Sequence, residues 1–346
     1  MCRSRVCACA IANACGGAGV VRAGRAHAAR MRGEPFRGSE AVARGLLTKG
    51  RLRGPRFRRL FPDVYVDASV EVTPVVLARA AALLVEAQGA AAGYSATELL
   101  GASCGPWRAP AEVVTPTRVR DRPGLVAHRG PLSHTGIADG VRVTSPLRTA
   151  WELTRRLDPV EAVVALDALA ARERTRPTFV PLPPGTPASA YQLALSRTTS
   201  ACPGFDPAVL LRWRAAHPRS RGVHQLDRVV ALADPRAESP PETRLRLLLV
   251  LAGLPAPHVQ FPLLDGRGLP WVRFDLAYPE ALLAIEYDGE EHDDPLDRIR
   301  DTRTSALGWH TLRINAAGLY RTRTRTVQTV RDLRARRERM LRTERA

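Results

Sequence analysis

Apolar and polar positions follow a regular pattern along the last third of the chain. Ser239-Pro240-Pro241-Glu242 has the form of a capping box with prolines in the first turn, and the run L-R-L-L-L-V-L-A behind it predicts a helix closed by Gly253. Strands are predicted at His258–Leu264, Val272–Tyr278, Ala281–Tyr287 and Thr311–Asn315, with Asp265-Gly266-Arg267-Gly268 as the first turn. A charged helix around 294–306 precedes the last strand and an arginine-rich helix follows it. The order is α-β-β-β-α-β-α, a mixed α/β unit from 237 to 346.

The second and third strands have a geometry that bears on chemistry. With Pro279-Glu280 as a two-residue hairpin turn, Asp275 stands opposite Ala284 and Glu286 lies on the same side at the diagonal position. Diagonal neighbours are roughly 7–8 Å apart, close enough for two carboxylates to reach one cation. Asp288 shares this face, while Phe274, Leu276, Leu283, Ile285 and Tyr287 fall on the apolar one. Acids gathered beside a buried sheet repel one another unless a cation lies among them, and magnesium-like ions take oxygen ligands. Alternatively, Asp275 and Glu286 are half-exposed strand residues paired with arginines such as Arg273 or Arg313.

Upstream, the pattern S-E-A-V-A-R-G-L-L from Ser39 predicts a short helix, Thr48-Lys49-Gly50 a turn, and Arg51, Arg53, Arg56, Arg58 and Arg59 a basic helix ahead of a turn and strand at Leu60–Val66. This is the outline of a small winged helix over 35–70, with the second helix toward DNA; the alternative is a helical hairpin with a solvated arginine face. A mixed α/β segment over 71–172 follows, with two helical patterns in 73–101, strands near 111–115, 124–128 and 140–144, and helices near 147–156 and 159–171. Its polar residues are scattered singly, so no catalytic cluster is expected there. The Pro-rich stretch 176–187 predicts a linker, and the interval 173–236 adds helices near 206–217 and 221–233.

Composition then narrows the partners. A net charge of +18 favours phosphate backbones, and Lys49 is the only lysine among 52 basic residues. Such arginine-rich, alanine-rich usage also follows from a GC-rich genome. Four of the six cysteines, Cys2, Cys7, Cys9 and Cys15, crowd the first fifteen residues without ligand spacing, so neither a disulfide framework nor a metal knuckle is expected. Residues 1–34 make a poor signal peptide and lack periodicity; they are expected to be a disordered, dispensable extension, with the working protein starting near Met31. No apolar run is long enough to span a bilayer, and a cytoplasmic protein is expected.

The run R-F-D-L-A-Y-P-E-A-L-L-A-I-E-Y-D-G-E-E-H, followed by Asp301, Arg303, L-G-W and T-L-R-I, resembles the bacterial endonuclease-like domains related to the very-short-patch-repair endonuclease, within the PD-(D/E)XK restriction-endonuclease-like class. The resemblance covers about 237–320. It implies a phosphodiester hydrolase in which Asp275 and Glu286 bind Mg2+ or Mn2+, Glu242 supports the site from the first helix, and His292 assists near the leaving phosphate. It also implies that Asp301 and Arg303 form the acidic-basic pair of the next helix, although Asp297 with Arg300 aligns as well. One departure is plain, since the broad class carries lysine two residues after the second carboxylate and this chain has Asp288. More diffusely, G-S-E-A-V-A-R-G-L-L-T-K-G-R-L-R and V-T-S-P-L-R-T-A-W-E-L are similar to the AbiEi antitoxin and regulator family over about 35–170, which implies DNA binding without chemistry.

Two functions are therefore expected in competition: a metal-dependent DNA endonuclease, and a non-catalytic DNA-binding regulator with a degenerate nuclease unit. The charge pattern serves RNA as well as DNA. Several residues carry plainer alternatives. Glu242 is explained by helix capping, His292 by a solvated loop, and Trp309 by core packing. The eleven arginines from Arg313 to Arg345 suit a solvated helix face or a phosphate-tracking one equally.

Overall fold

The computed structural model describes residues 33–86, 88–120, 122–171, 179–183, 204–289 and 295–345. The expected extension at 1–34 and the site candidate His292 thus lie almost wholly or wholly outside the described residues. Among the described residues the fold is mixed α and β, with three separate sheets.

The first sheet is small, with strands in the order β1 (Phe36–Arg37), β3 (Val64–Asp67), β2 (Phe57–Phe61), all antiparallel. Helices α1 (Gly38–Ala43) and α2 (Lys49–Leu52) lie between β1 and β2. The basic helix expected through Arg51–Arg59 does not form. Thr48 caps a single turn that ends at Leu52, because Gly54-Pro55 follows and proline can neither donate to a helix nor leave its predecessor helical. Arg56, Arg58 and Arg59 consequently stand on or beside an exposed strand, and Arg51 and Arg53 flank the turn.

The second sheet has the order β6-β5-β4-β8-β7-β9. Its strands are β4 (Ala90–Ala91), β5 (Ala111–Thr115), β6 (Leu125–Arg129), β7 (Thr135–Ala138), β8 (Val141–Thr144) and β9 (Phe179–Leu182). Strand β9 lies inside the Pro-rich stretch read as a linker; it adds antiparallel to β7 at the sheet edge, where Pro181 costs no central ladder bond. Helices α3 (Pro74–Val85), α4 (Gly93–Leu99), α5 (Pro146–Arg156), α6 (Pro159–Ala170), α7 (Val209–Ala216) and α8 (Leu226–Leu232) complete this body. Three of them begin alike, with Thr73, Ser145 or Asp158 accepting from the first-turn amides and proline next in sequence, so the cap satisfies an orphan donor and the proline removes another.

The third sheet has the order β10 (His258–Leu264), β11 (Pro270–Tyr278), β12 (Leu283–Asp288), β13 (His310–Asn315); β12 and β13 are parallel and the other pairs antiparallel. Helix α9 (Pro240–Leu251) precedes it, α10 (Pro295–Ala306) makes the crossover, and α11 (Ala316–Tyr320) and α12 (Arg323–Arg345) follow.

Helix α9 belongs to two cores. Leu245 and Leu249 pack with Leu276, Ile285 and Leu319 of the third-sheet unit, whereas Leu247 joins Val163, Leu166 and Leu169 of the body. A buried polar seam reinforces the junction. Asp167 of α6 accepts from the Asp234 amide at 2.7 Å, Thr243 Oγ1 at 3.0 Å and Arg246 Nη2 at 2.9 Å.

Helix α12 gives its arginines a structural use. Arg331 donates to the Ala252 carbonyl, Arg334 pairs with Glu280 and Glu338, and Arg337 donates to the carbonyls of Ala281 and Gly308. At spacings of three these lie on one helix face, and they staple the helix across the sheet. Arg325, Arg336, Arg339 and Arg342 point outward.

Candidate active site

The β11–β12 connection is longer than two residues. Pro279–Ala281 form a 3-10 turn and Leu282 takes a left-handed φ of 46° before β12 begins. The register is Ala277 to Ala284 and Leu276 to Ile285, so Ala284 stands across from Ala277 rather than from Asp275. The displacement from the expected register is two residues, and an even shift preserves the face.

A second correction concerns Phe274, expected on the apolar side with Leu276. It packs instead with Ala277, Ala284 and Trp309, at a ring-centroid distance of 4.9 Å from Trp309. The strands are irregular at this point: Val259 pairs with Leu276 and Phe261 with Phe274, but Gln260, opposite Asp275, is left-handed with φ 53°. Strand alternation is interrupted there, and Asp275 Oδ2 accepts from the Tyr287 amide at 3.0 Å, a side chain serving where a ladder bond would run.

Around Asp275 the carboxylates accumulate. Burial pushes its carboxyl up to about 7, and the negative charge of Glu242, followed by those of Glu286 and Glu238, adds to this against the opposing Tyr287 N–H. Glu242 is buried at the start of α9, where Ser239 caps the helix. Its Oε2 accepts from the Glu238 amide and from Gln260 Nε2, both at 2.9 Å, and Ser239 Oγ donates to Oε1 at 2.6 Å. Capping thus accounts for Glu242 while also holding it next to Asp275.

Glu286, 7% exposed, is held by arginines. Arg300 Nη2 of α10 lies 2.7 Å from its Oε2 and Arg313 Nε of β13 lies 3.6 Å away. Arg313 also reaches Asp301 at 2.8 Å. Of the two alignments for the helix pair, Arg300 contacts the second carboxylate, whereas Arg303 is exposed in the last turn of α10. Asp288 sits half-buried at the end of β12, paired in register with Asn315. Arg273 pairs with Glu238 at 2.9 Å. Trp309 is core, 7% exposed against Phe274 and Phe261.

The fold therefore sets Glu242 and Glu286 near enough for their charges to act on Asp275, with Gln260 bonded to Glu242 and Arg300 to Glu286. The sequence carried no signal for Gln260, which reads as an ordinary strand residue between Val259 and Phe261. Hard oxygen donors converging on a buried acid suit a divalent cation chemically. Among the described residues, however, no three His, Cys, Asp or Glu are arranged to hold one. The basic residues Arg51, Arg53, Arg56, Arg58 and Arg59 belong to the first sheet and its turn, apart from this cluster.

The body, where no catalytic cluster is expected from the sequence, contains a polar group of another kind. Glu112 of β5 accepts from the Tyr94 amide at 2.9 Å and lies 2.6 Å from His128 Nε2 and 3.1 Å from Arg156 Nη2. Burial raises its carboxyl, but the His128 hydrogen bond and the Arg156 charge outweigh that and hold it low. It is a partnered clamp between α4, β6 and α5.

Among known proteins, the chain is similar to two uncharacterized proteins of Mycobacterium tuberculosis, MT2308 of strain CDC 1551 and Rv2248 of strain H37Rv, each 29% identical over 197 residues. The similarity covers 56% of this chain and spans about 61% of the length of each relative. No family model matches the chain, and no solved structure matches it significantly. Among the described residues no helix is long and apolar enough to cross a membrane.

Proposed function

We propose that the chain binds DNA and hydrolyses phosphodiester bonds at the cluster of Asp275, Glu286 and Glu242. The observation that carries this is the enforced proximity of acids around Asp275, whose carboxyl is pushed up to about 7 by burial and by neighbouring carboxylates. Keeping such a set costs stability, and a site that binds a cation recovers that cost. Asp275 and Glu286 would hold Mg2+ or Mn2+, which supplies Lewis-acid activation of phosphate and water. Gln260 holds Glu242 at the helix start, and the Tyr287 amide holds Asp275. Arg300 and Arg313 supply positive charge beside the second carboxylate, where a phosphate would arrive. The exposed arginines of the first sheet and the outward face of α12 contribute salt-dependent affinity. The decisive experiment is a magnesium- and manganese-dependent cleavage assay on plasmid, linear, mismatched and single-stranded DNA, with Asp275→Ala as control.

One observation favours the alternative, a DNA-binding regulator without turnover. Glu286 is already ion-paired with Arg300 and Arg313, and Asp288 stands where the broad class has lysine. Retained DNA binding with no cleavage under any metal would select it.

A further inference from the structure

A cleft of about 360 Å³ opens where the body meets the third-sheet unit. Val160 and Glu161 of α6 form one side, Arg244, Leu248, Leu251 and Ala252 of α9 the floor, and Leu319, Tyr320 and Arg323 the other side. Its size lies within the range of small-molecule sites.

Two properties distinguish this cleft from a packing gap. Leu251 and Tyr320, among the few large apolar side chains left exposed, are 46% and 43% accessible and both line it. Wet apolar area of this kind costs about 25 cal/mol per Å² relative to cover. The polar groups are also asymmetric. Glu161 is neutralised by Arg244 through two contacts of 2.8 and 2.7 Å. The Arg323 Nε donates to the Leu319 carbonyl at 3.3 Å, a neutral partner, and among the described residues no carboxylate pairs with its charge at the rim. The cleft therefore presents an apolar floor, a neutral polar wall and one net positive charge.

We infer that this cleft is a binding site for a small amphipathic monoanion, a flat apolar body carrying one carboxylate. The body would cover Leu248, Leu251 and Leu319, and the carboxylate would face Arg323. Since α6 and α9 both line the cleft, an occupant also ties the two units together.

The test uses the full chain and 2-naphthoate as probe, with 2-naphthalenemethanol as its neutral counterpart. Thermal shift and calorimetry should show saturable binding of the carboxylate in the millimolar range or tighter, and at least fivefold weaker binding of the alcohol. Arg323→Ala, at an exposed position, should weaken 2-naphthoate about tenfold and leave the unliganded Tm unchanged. Leu248→Trp, which fills the floor, should abolish binding. Absence of saturable binding, equal binding of the alcohol, or binding indifferent to Arg323→Ala in a normally folded variant would each overturn the assignment.

Discussion

Arg300 on α10 and Glu286 on β12 are joined by a 2.7 Å ion pair across the crossover connection. In the nuclease reading the pair occupies the carboxylate that a cation would use, so Arg300 would compete with metal at rest. In the nuclease reading, a phosphate drawing Arg300 away would free Glu286, coupling metal binding to DNA.

Arg300→Ala should therefore raise Mn2+ affinity in the absence of DNA by roughly tenfold, equivalent to about 1.4 kcal/mol. The gain is limited because Arg313 still lies 3.6 Å from Glu286. Calorimetry on the purified variant measures it. An unchanged or weaker affinity would show that the ion pair does not gate the site.

Asp275 makes a pH-dependent prediction. A carboxyl whose folded pKa exceeds its unfolded value contributes stability that is fully present below the unfolded pKa and is lost as pH rises through the folded one. For Asp275 that window runs from 3.8 to about 7. In chelator, wild-type protein should lose Tm across that window relative to Asp275→Asn, with a difference of a few degrees above it that vanishes below it. Parallel pH profiles for the two proteins would mean that the acid is not strained.

The pairing of β11 with β12 was legible because strand parity is robust. The expected hairpin loop was two residues too short, but an even displacement keeps Leu276 and Ile285 on one face; that parity does not extend to Asp275, where the alternation is interrupted. Phe274 was misplaced because the alternation of β11 fails between it and Leu276, beside the left-handed Gln260 of β10, and nothing in V-Q-F or F-D-L announces it. The basic helix failed for a reason that was present in the sequence: Gly54-Pro55 outweighs an arginine pattern. The Glu112–His128–Arg156 cluster assembles from residues up to 44 positions apart, a separation that local patterns do not span.

The seam between the two units rests on Asp167. Its carboxyl is pushed up to about 6 by burial, against the opposing charge of Arg246. Asp167→Ala leaves the Arg246 guanidinium, 6% exposed, without its carboxylate, and should cost about 3–5 kcal/mol in urea unfolding. Asp167→Asn keeps an acceptor for the Asp234 amide and should cost less. Equal losses from both substitutions would assign the effect to packing rather than charge.

DNA affinity should fall steeply with salt, and replacing Arg56, Arg58 and Arg59 together by alanine should flatten the salt dependence by up to about 0.9 for each phosphate they neutralise. All three are exposed on or beside β2. An unchanged slope would move the anchor to α12, where Arg325, Arg336, Arg339 and Arg342 would be replaced next.

Turnover separates the two proposed functions. If the chain is a nuclease, Asp275→Ala abolishes magnesium-dependent cleavage while DNA binding persists, because the phosphate-contacting arginines are untouched. Asp288→Lys then probes the departure from the broad class. Residue 288 lies two positions beyond Glu286 on β12 and is half-buried, so a lysine there extends from the same strand toward the carboxylate that Arg300 and Arg313 now neutralise. If wild-type protein is silent and Asp288→Lys cleaves, the site was complete except for that cation. If wild-type protein cleaves and Asp288→Lys does not, Arg300 already fills the role and a further positive charge displaces the metal. A wild-type chain that binds DNA, binds no metal through Asp275 and cuts nothing is a regulator, its carboxylate cluster retained as a helix cap and strand clasp.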